Sequence, residues 1–177
     1  MWYIIKAYSQ FLRKATNQHG VHSPFVYTFV TKCLYRKTSK EAKNQLKAYR
    51  EDLLQSNEVI EVTDFGAGSR VFKSNRRAIK DIAKHAGARF SRMKLLYRVV
   101  SYFKPKAILE LGTSVGLASV SLALPETAKM TSLEGCPQTA VVAQKHLKSA
   151  ELSNVEVIVG DFKQTLPQVI SEKFDLI

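Results

Sequence analysis

The residues best placed for chemistry form a short glycine loop, Glu110-Leu-Gly112-Thr113-Ser114-Val-Gly116. An apolar run of strand length precedes this loop and a helical stretch follows it. Gly112 lets the main chain turn and leaves room for a ligand beside the backbone. Gly116 lets the helix pack close to the strand. The loop amides and the helix N-terminus would then face a polar or anionic ligand.

The glycine spacing excludes two common nucleotide-binding motifs. A dinucleotide fingerprint needs Gly-x-Gly-x-x-Gly, whereas this loop reads Gly-x-x-x-Gly with an acid two residues before the first glycine. No phosphate-binding lysine follows, so a P-loop is excluded as well. The loop therefore predicts a ligand site of another kind. Its alternative interpretation is a structural turn between strand and helix that binds nothing.

Two further acids follow the next two predicted strands. Glu134 lies 22 residues after Gly112, at the place where Rossmann-type folds use an acid to bind ribose hydroxyls. Gly160, Asp161 and Phe162 come directly after the third strand. Asp161 is placed to accept a hydrogen bond from an adenine amino group, and Phe162 to lie against the ring. Because the carboxyl ends of parallel strands meet at one edge of a sheet, we predict a single site.

The elements that must position these residues alternate between strand and helix after Pro105. Short apolar runs predict strands over residues 107–111, 130–133 and 155–159, and a fourth strand beginning at 174–177. Helical patterns between them cover residues 117–124, 138–150 and 164–170. This alternation predicts βαβ units, a parallel sheet and hence an α/β fold.

The sequence before residue 105 is mostly helical in pattern. Helices are predicted over 2–15, from Ser23-Pro24 to residue 35, and over 41–56, 73–86 and 91–103. We therefore predict two domains, a helical N-terminal cap over 1–104 and a sheet domain over 105–177. The aromatic residues of the cap are interpreted as its core, with a stacking surface for bases as the alternative: Tyr3, Tyr8, Phe11, Phe25, Tyr27, Phe29 and Tyr35.

The net charge of +12 is unevenly distributed. Residues 1–106 contain 22 Lys and Arg against 7 acids, whereas residues 107–177 contain 5 against 8. The basic part could meet phosphates, an acidic substrate or an anionic surface. It could equally be a solvated helical face rich in lysine. Charge alone leaves these interpretations open.

The cysteines, the histidines and the lengths of the apolar runs argue against disulfide-stabilised, metal-binding and membrane-spanning proteins. Cys33 and Cys136 are too few for a disulfide framework or a cysteine-based zinc site, and we expect reduced thiols in a cytoplasmic protein. No apolar run approaches the roughly 18 residues of a membrane span, so no membrane partner is expected. His19, His22 and His85 lack metal-ligand spacing, so no metal site is assigned.

A second glycine-containing segment reads Asp64-Phe-Gly66-Ala-Gly68-Ser69-Arg70. Its glycines and serine could form an anion-binding nest beside the arginine. The favoured interpretation is a connection between helices that needs positive φ angles. In either case the segment could line the entrance for a substrate.

The segments KPKAILELGTSVGLASVSLA, KMTSLEGCPQTAVVAQKHL, NVEVIVGDFKQTLPQVI and KFDLI resemble the class I S-adenosylmethionine-dependent methyltransferases, and within them the O-methyltransferase-like group. The resemblance covers about residues 91–177 and implies a Rossmann-like sheet with S-adenosylmethionine as methyl donor. By resemblance, Glu134 binds the ribose, and Gly160 with Asp161 flanks the adenine. The methionine part of the donor falls to the glycine loop, that is to Glu110, Gly112, Thr113, Ser114 and Gly116.

The resemblance implies transfer of a methyl group to an oxygen or nitrogen of an acceptor, which we expect to be a small molecule. Methylation of a nucleic acid such as RNA through the basic region, and a non-catalytic binding module, are the alternatives. In this family the acid near the transferred methyl group, and any divalent metal, follow the fourth strand. That position lies beyond Ile177, so the catalytic residue, the metal dependence and the oligomeric state are unassigned. We expect an amino-terminal fragment of a longer protein, with a sheet truncated after about four strands.

Overall fold

The computed structural model describes residues 2–15, 17–65, 68–69 and 71–177. The chain forms two compact units, of which the first ends at Lys37 and the second runs from Thr38 to Ile177. The second unit contains the parallel sheet and the helices packed on it. The domain boundary at residues 104 and 105 remains a prediction.

The first unit consists of short helices. Helix α1 spans Trp2–Lys14, a 3-10 turn covers Gln18–Gly20, and α2 spans Pro24–Phe29 and continues as a π-helical turn over Val30–Leu34. The predicted start of α2 is confirmed, because the Ser23 side chain accepts a hydrogen bond from the Val26 N–H and proline takes the first helical position.

The predicted aromatic core of this region is wrong. The side chains that were assigned to it are exposed in the structure, with the exception of the half-buried Phe29. Helix α1 contributes no buried residue at all. Helical periodicity identified the amphipathic face correctly, but periodicity does not show what covers such a face.

The second unit begins with α3, Lys40–Gln55, whose N-terminus is capped by the Ser39 hydroxyl. Its buried face carries Leu46, Tyr49 and Leu53, as the spacing of these residues predicts. An antiparallel hairpin of β1, Val59–Glu61, and β2, Arg76–Ala78, follows. Helices α4, Ile79–His85, and α5, Phe90–Phe103, complete the helical layer.

The helix predicted over residues 73–86 is only partly correct. Its second half forms α4, whereas Arg76–Ala78 pairs as a strand with Val59–Glu61. These two strands have three residues each, which is too short for an alternating pattern of apolar and polar residues to be recognised. The two strands also lie far apart in the sequence. Hydrogen bonding between distant segments therefore overrides the local helical preference.

The central sheet confirms the predicted α/β fold with its parallel, Rossmann-like sheet. It contains β3, Ala107–Leu111, β4, Lys129–Glu134, and β5, Val155–Val159, in the order β3-β4-β5. The fourth strand predicted to begin at residues 174–177 is reduced to a single parallel bridge between Leu176 and Ile108, on the side of β3 away from β4. The intervening helices are α6, Leu117–Ala123, α7, Pro137–Ser149, and α8, Phe162–Val169.

The sheet carries apolar side chains on both faces. Ile108 and Met130 belong to the larger core, together with residues of α3, α4, α5 and α6. Leu109 and Leu133 belong to a smaller cluster with Val169 of α8. A strand that is buried on both faces reads as a nearly continuous apolar run, which is why the sequence predicted β3 well.

Candidate functional site

The glycine loop between β3 and α6 is wound through left-handed backbone conformations. Gly112 has φ +97°, Ser114 φ +51° and Gly116 φ +82°. The Gly112 N–H donates to the carbonyl of Leu133 on β4, so the loop begins as an extension of the sheet. A Cβ atom at Gly112 would meet nothing within 4 Å. Space for a ligand therefore exists directly beside this part of the main chain.

Tyr49 of α3 supports the far end of the loop. Its hydroxyl donates a hydrogen bond of 3.2 Å to the carbonyl oxygen of Val115, and a Cβ atom at Gly116 would overlap that hydroxyl. Burial, followed by the negative charges of Glu110 and Asp52, raises the pKa of Tyr49 far above its usual value. The phenol therefore stays protonated and remains a hydrogen-bond donor.

Glu110 lies buried beneath the loop. Its Oε2 accepts hydrogen bonds of 2.6 Å from the hydroxyls of Ser119 on α6 and Ser132 on β4. The Ser132 oxygen is also hydrogen-bonded to the Thr113 hydroxyl, which is itself buried. Burial raises the pKa of Glu110, and the negative charge of the nearby Glu134 raises it further. The hydrogen bonds from the two serine hydroxyls lower this pKa but do not outweigh burial. Ser119 and Ser132 were not predicted, and their only sequence signal is a serine within an apolar run.

Glu134, the last residue of β4, joins two parts of the site. Its Oε2 accepts the Ser114 N–H at 2.6 Å, and its Oε1 accepts the Cys136 N–H at 2.9 Å. One carboxylate thus fixes both the glycine loop and the start of α7. Each oxygen retains further lone pairs for a ligand.

The third group of predicted residues follows β5. The Gly160 N–H donates to the carbonyl of Glu134 at 2.9 Å, and Gly160 has φ +148°. Asp161 caps α8, because its Oδ1 accepts the Lys163 N–H at 2.8 Å. Phe162 is 38% exposed. An aromatic face and a carboxylate are therefore available beside the carboxyl end of β5.

These groups border one cavity of about 560 Å³ at the carboxyl edge of the sheet. Four of the predicted site residues line it: Ser114, Glu134, Asp161 and Phe162. The remaining five form the loop, support it from below or precede Asp161: Glu110, Gly112, Thr113, Gly116 and Gly160. The cavity lies within the size range of small-molecule sites.

The opposite wall of the cavity comes from the β1–β2 hairpin and was not predicted in detail. Arg77 lies over the Phe72 ring, 4.9 Å from its centroid, and its guanidinium is 3.6 Å from the Asp64 carboxylate. Phe65 covers Gly135, where an added Cβ atom would lie 2.8 Å from the ring. The spacing of these residues in the sequence gave no signal, because the hairpin brings them to the cavity.

Asp64 and Phe65 of the second glycine segment line this cavity. The favoured interpretation of the segment as a connection between helices is wrong, because the segment joins β1 to β2. The proposed anion nest depends on Gly66, Ala67 and Arg70, which lie outside the described residues. The nest remains a prediction.

Cys136 links the hairpin to the sheet. Its Sγ accepts the Thr63 N–H at 3.3 Å, and the residue is 2% exposed. Burial acts to raise the pKa of this thiol, but hydrogen bonds from Thr139, Thr63 and Gln138 outweigh burial and lower it. These contacts give the thiol a packing role. In the part of the chain that the structure describes, no three His, Cys, Asp or Glu residues are grouped closely enough to hold a metal ion.

A parallel sheet whose carboxyl edge carries a glycine loop and acids after successive strands defines a Rossmann-like nucleotide-binding fold. A family model described as O-methyltransferase matches residues 74–177. The chain belongs to the O-methyltransferase family.

Individual relatives match shorter stretches. A catechol O-methyltransferase of Niastella koreensis is 37% identical over 90 residues, which cover 48% of this chain and 41% of that protein. A transmembrane O-methyltransferase of Homo sapiens is 35% identical over 78 residues, covering 42% of this chain and 27% of that protein. The chain thus matches less than half the length of these relatives.

Among solved structures, the S-adenosylhomocysteine-bound methyltransferase PaMTH1 of Podospora anserina shares the fold. It has a TM-score of 0.50 at 19% identity, with 80% of this chain and 58% of that chain covered.

Proposed function

We propose that the protein is an S-adenosylmethionine-dependent O-methyltransferase, and that the cavity at the carboxyl edge of the sheet holds its methyl donor. The observation that carries this proposal is the meeting of Ser114, Glu134, Asp161 and Phe162 around one cavity. Family membership supports the reaction class. The protein's share of such a reaction is chiefly to bind and orient the two reactants.

The donor set fits the adenosine part of this cofactor. Glu134 uses each oxygen for one N–H, so both oxygens can still accept from ribose hydroxyls. Asp161 uses Oδ1 to cap α8, which leaves Oδ2 to accept from an adenine amino group. The exposed Phe162 face is suited to an aromatic ring. These roles are proposals for the adenosine end of the cavity.

The methionine part would lie along the glycine loop. S-adenosylmethionine supplies an electrophilic methyl group on a cationic sulfonium. Gly112 leaves room for a ligand, and the buried Glu110 lies below the same loop. In the low dielectric of this site, carboxylates favour a cationic ligand more strongly than they would in water. Glu110, Thr113 and Gly116 do not line the cavity. We propose that they fix the conformation of the loop and, through Glu110, its electrostatic potential.

For the acceptor we propose a hydroxyl group of a small molecule. The family model is described as O-methyltransferase, and the Niastella koreensis relative is named a catechol O-methyltransferase. We propose a cytoplasmic location, because Cys33 and Cys136 are buried thiols and a reducing compartment keeps thiols in this form.

The test is a titration of the full-length protein with S-adenosylmethionine and S-adenosylhomocysteine, followed by calorimetry and thermal unfolding. Both ligands should stabilise the protein, by about 2.7 kcal/mol at one hundred times the dissociation constant. NAD should give no shift. A folded sample that neither sulfur ligand stabilises would contradict the proposal.

Glu134→Ala should weaken binding of S-adenosylhomocysteine at least about tenfold, because two N–H partners and the ribose acceptor are lost together. Glu156→Ala, an exposed glutamate on β5, is the matched control and should bind as the unchanged protein does. Equal affinities of the two variants would refute the ribose role.

A further inference from the structure

Helix α1 has two chemically different faces. Five apolar side chains share one face at helical spacing: Ile4, Ile5, Tyr8, Phe11 and Leu12. The opposite face carries Lys6, Ser9, Gln10, Arg13 and Lys14. The helix is therefore strongly amphipathic, with apolar residues on one half of its surface and polar residues on the other.

The apolar face of α1 is exposed. Ile4 is 70% exposed, Phe11 63% and Leu12 55%, and no residue of the helix is buried. Five large apolar side chains exposed on one face of a short helix exceed the scattered exposed residues of an ordinary surface. A contiguous apolar surface of this kind marks an interaction site.

The charge around this helix is of one sign. Residues 1–40 contain seven Lys and Arg and no Asp or Glu, the first acid being Glu41. Self-association through the apolar face of α1 would leave these cations on the outer side without an anionic partner, whereas an anionic surface would pair with them. A partner that complements both the apolar face and the positive charge of α1 has an anionic surface above an apolar interior.

We propose that α1 lies flat on an anionic lipid surface, with its apolar face among the acyl chains and its cations among the headgroups. A polar face rich in lysine and arginine, opposite a face of aromatic and aliphatic residues, is typical of interfacial helices. A nucleic acid would meet the cations but would leave the apolar face uncovered. The proposal is independent of the proposed methyl transfer.

This mode differs from a membrane span. The 13 residues of α1 extend about 20 Å, which is shorter than the roughly 30 Å of a hydrocarbon core. In the described part of the chain, no helix is long and apolar enough to cross a bilayer. The expectation of no membrane partner rested on that argument, and the lipid proposal departs from this expectation.

The test is co-sedimentation of the full chain with lipid vesicles. The full chain is mixed with vesicles of phosphatidylcholine, or of phosphatidylcholine with the anionic phosphatidylglycerol. We expect co-sedimentation with the anionic vesicles, weakened by salt. Equal binding to the two vesicle types, or no binding to either, overturns the proposal.

Two variants separate the two faces. Leu12→Glu places a charge on the apolar face and should lower the partition coefficient about tenfold or more. Replacing Lys6, Arg13 and Lys14 by glutamine leaves the apolar face intact and should lower it about a hundredfold, at about fivefold per cation. Val141→Glu changes an exposed apolar residue of α7 and should bind vesicles as the unchanged chain does.

The same samples distinguish a lipid surface from a second copy of the chain or RNA as the partner of α1. Far-ultraviolet circular dichroism checks that each variant keeps its helices. Self-association in analytical ultracentrifugation that Leu12→Glu abolishes, without vesicle binding, would assign the face to a second copy instead. Binding to RNA that requires Lys6, Arg13 and Lys14, again without vesicle binding, would assign the cations to nucleic acid. Either result overturns the lipid proposal.

Discussion

The Tyr49 hydroxyl on α3 donates a hydrogen bond to the carbonyl oxygen of Val115, 66 residues further along the chain. This bond connects the helical layer to the far end of the glycine loop, next to the left-handed Gly116. Because both groups are buried, water cannot replace either partner. The conformation of the loop therefore depends on a helix that sequence patterns place in a separate region.

Tyr49→Phe removes this hydroxyl and keeps the ring. The Val115 carbonyl loses its donor, so we expect the free energy of unfolding to fall by about 1 kcal/mol. Affinity for S-adenosylhomocysteine should fall a few-fold, because the loop is held less firmly. Urea denaturation and calorimetry measure the two effects. Tyr35→Phe, at an exposed tyrosine, is the control, and identical behaviour of both variants would contradict the supporting role.

Gly116→Ala and Gly112→Ala separate steric overlap from backbone strain. Both glycines have positive φ, but only a Cβ at Gly116 meets the Tyr49 hydroxyl. Gly112→Ala should cost about 1 kcal/mol through strain alone, and Gly116→Ala should cost more. In a Tyr49→Phe background the extra cost of Gly116→Ala should shrink. A double-mutant cycle on unfolding free energies measures this coupling, and strict additivity would argue against the contact.

Glu110→Gln should change how stability depends on pH. Burial raises the pKa of Glu110 in the folded state, so above the ordinary pKa of glutamate the unfolded chain releases its proton first. The folded state then binds more protons, and stability falls as pH rises through the raised pKa. The glutamine keeps an oxygen for Ser119 and Ser132 but does not ionise.

The stability of Glu110→Gln relative to the unchanged protein should therefore increase from acid to neutral pH, as measured by urea denaturation at each pH. Above the raised pKa, where Glu110 is ionised, affinity for S-adenosylmethionine should be lower in Glu110→Gln, because a negative charge beneath the loop is lost. Glu156→Gln, on the exposed side of β5, should show a constant difference. A constant difference for Glu110→Gln as well would mean that its pKa is not raised.

Asp175→Asn should show the opposite pH dependence. Hydrogen bonds from the N–H groups of Lys106 and Ala107 lower the pKa of Asp175. The stability that this carboxylate contributes is present above the ordinary aspartate pKa and is lost as pH falls through the lowered folded value. The drop in Tm caused by Asp175→Asn should thus be largest near neutral pH and should vanish in acid. Glu172→Gln, an exposed neighbour, should leave the Tm profile unchanged.

Phe162→Ala tests the adenine end of the cavity. If the exposed ring stacks on adenine, its loss should weaken S-adenosylhomocysteine binding roughly tenfold, the usual scale for aromatic stacking. Adenosine, which shares the ring system, should lose affinity to a similar extent. Phe103→Ala, a similarly exposed phenylalanine outside this cavity, should retain full affinity. Unchanged binding by Phe162→Ala would place the adenine elsewhere.

The parallel sheet could be predicted from the sequence because its signals are local. The predicted bounds of β3 and β5 match the structure to the residue, and β4 extends the predicted run by one residue at each end. Each strand is a short apolar run beside a glycine or an acid. The positions of the acids at the sheet edge could then be predicted, because each acid lies at or directly after the carboxyl end of a predicted strand.

The rest of the site depends on pairing between distant segments. Arg76–Ala78 lies in a stretch of helix-forming residues and becomes a strand only through Val59–Glu61. The cavity wall formed by Phe72 and Arg77 was therefore missed. Tyr49 was correctly placed on the buried stripe of α3, but its hydrogen bond to the loop could not be deduced from that stripe.

The bridge between Ile108 and Leu176 shows that chain segments pair with β3 on both of its sides. Since β4 pairs on one side of β3 and Leu176 on the other, the direction of chain winding reverses at β3. In α/β sheets, such a topological switch point forms a crevice outside the carboxyl ends of the strands, where ligands bind. One flank of the crevice is built by the segment from β3 to Phe162 and the other by chain on the opposite side. If the cavity binds the methyl donor as proposed, mutations on the Leu176 side of β3 should alter which acceptor is bound and leave the donor half of the site unchanged.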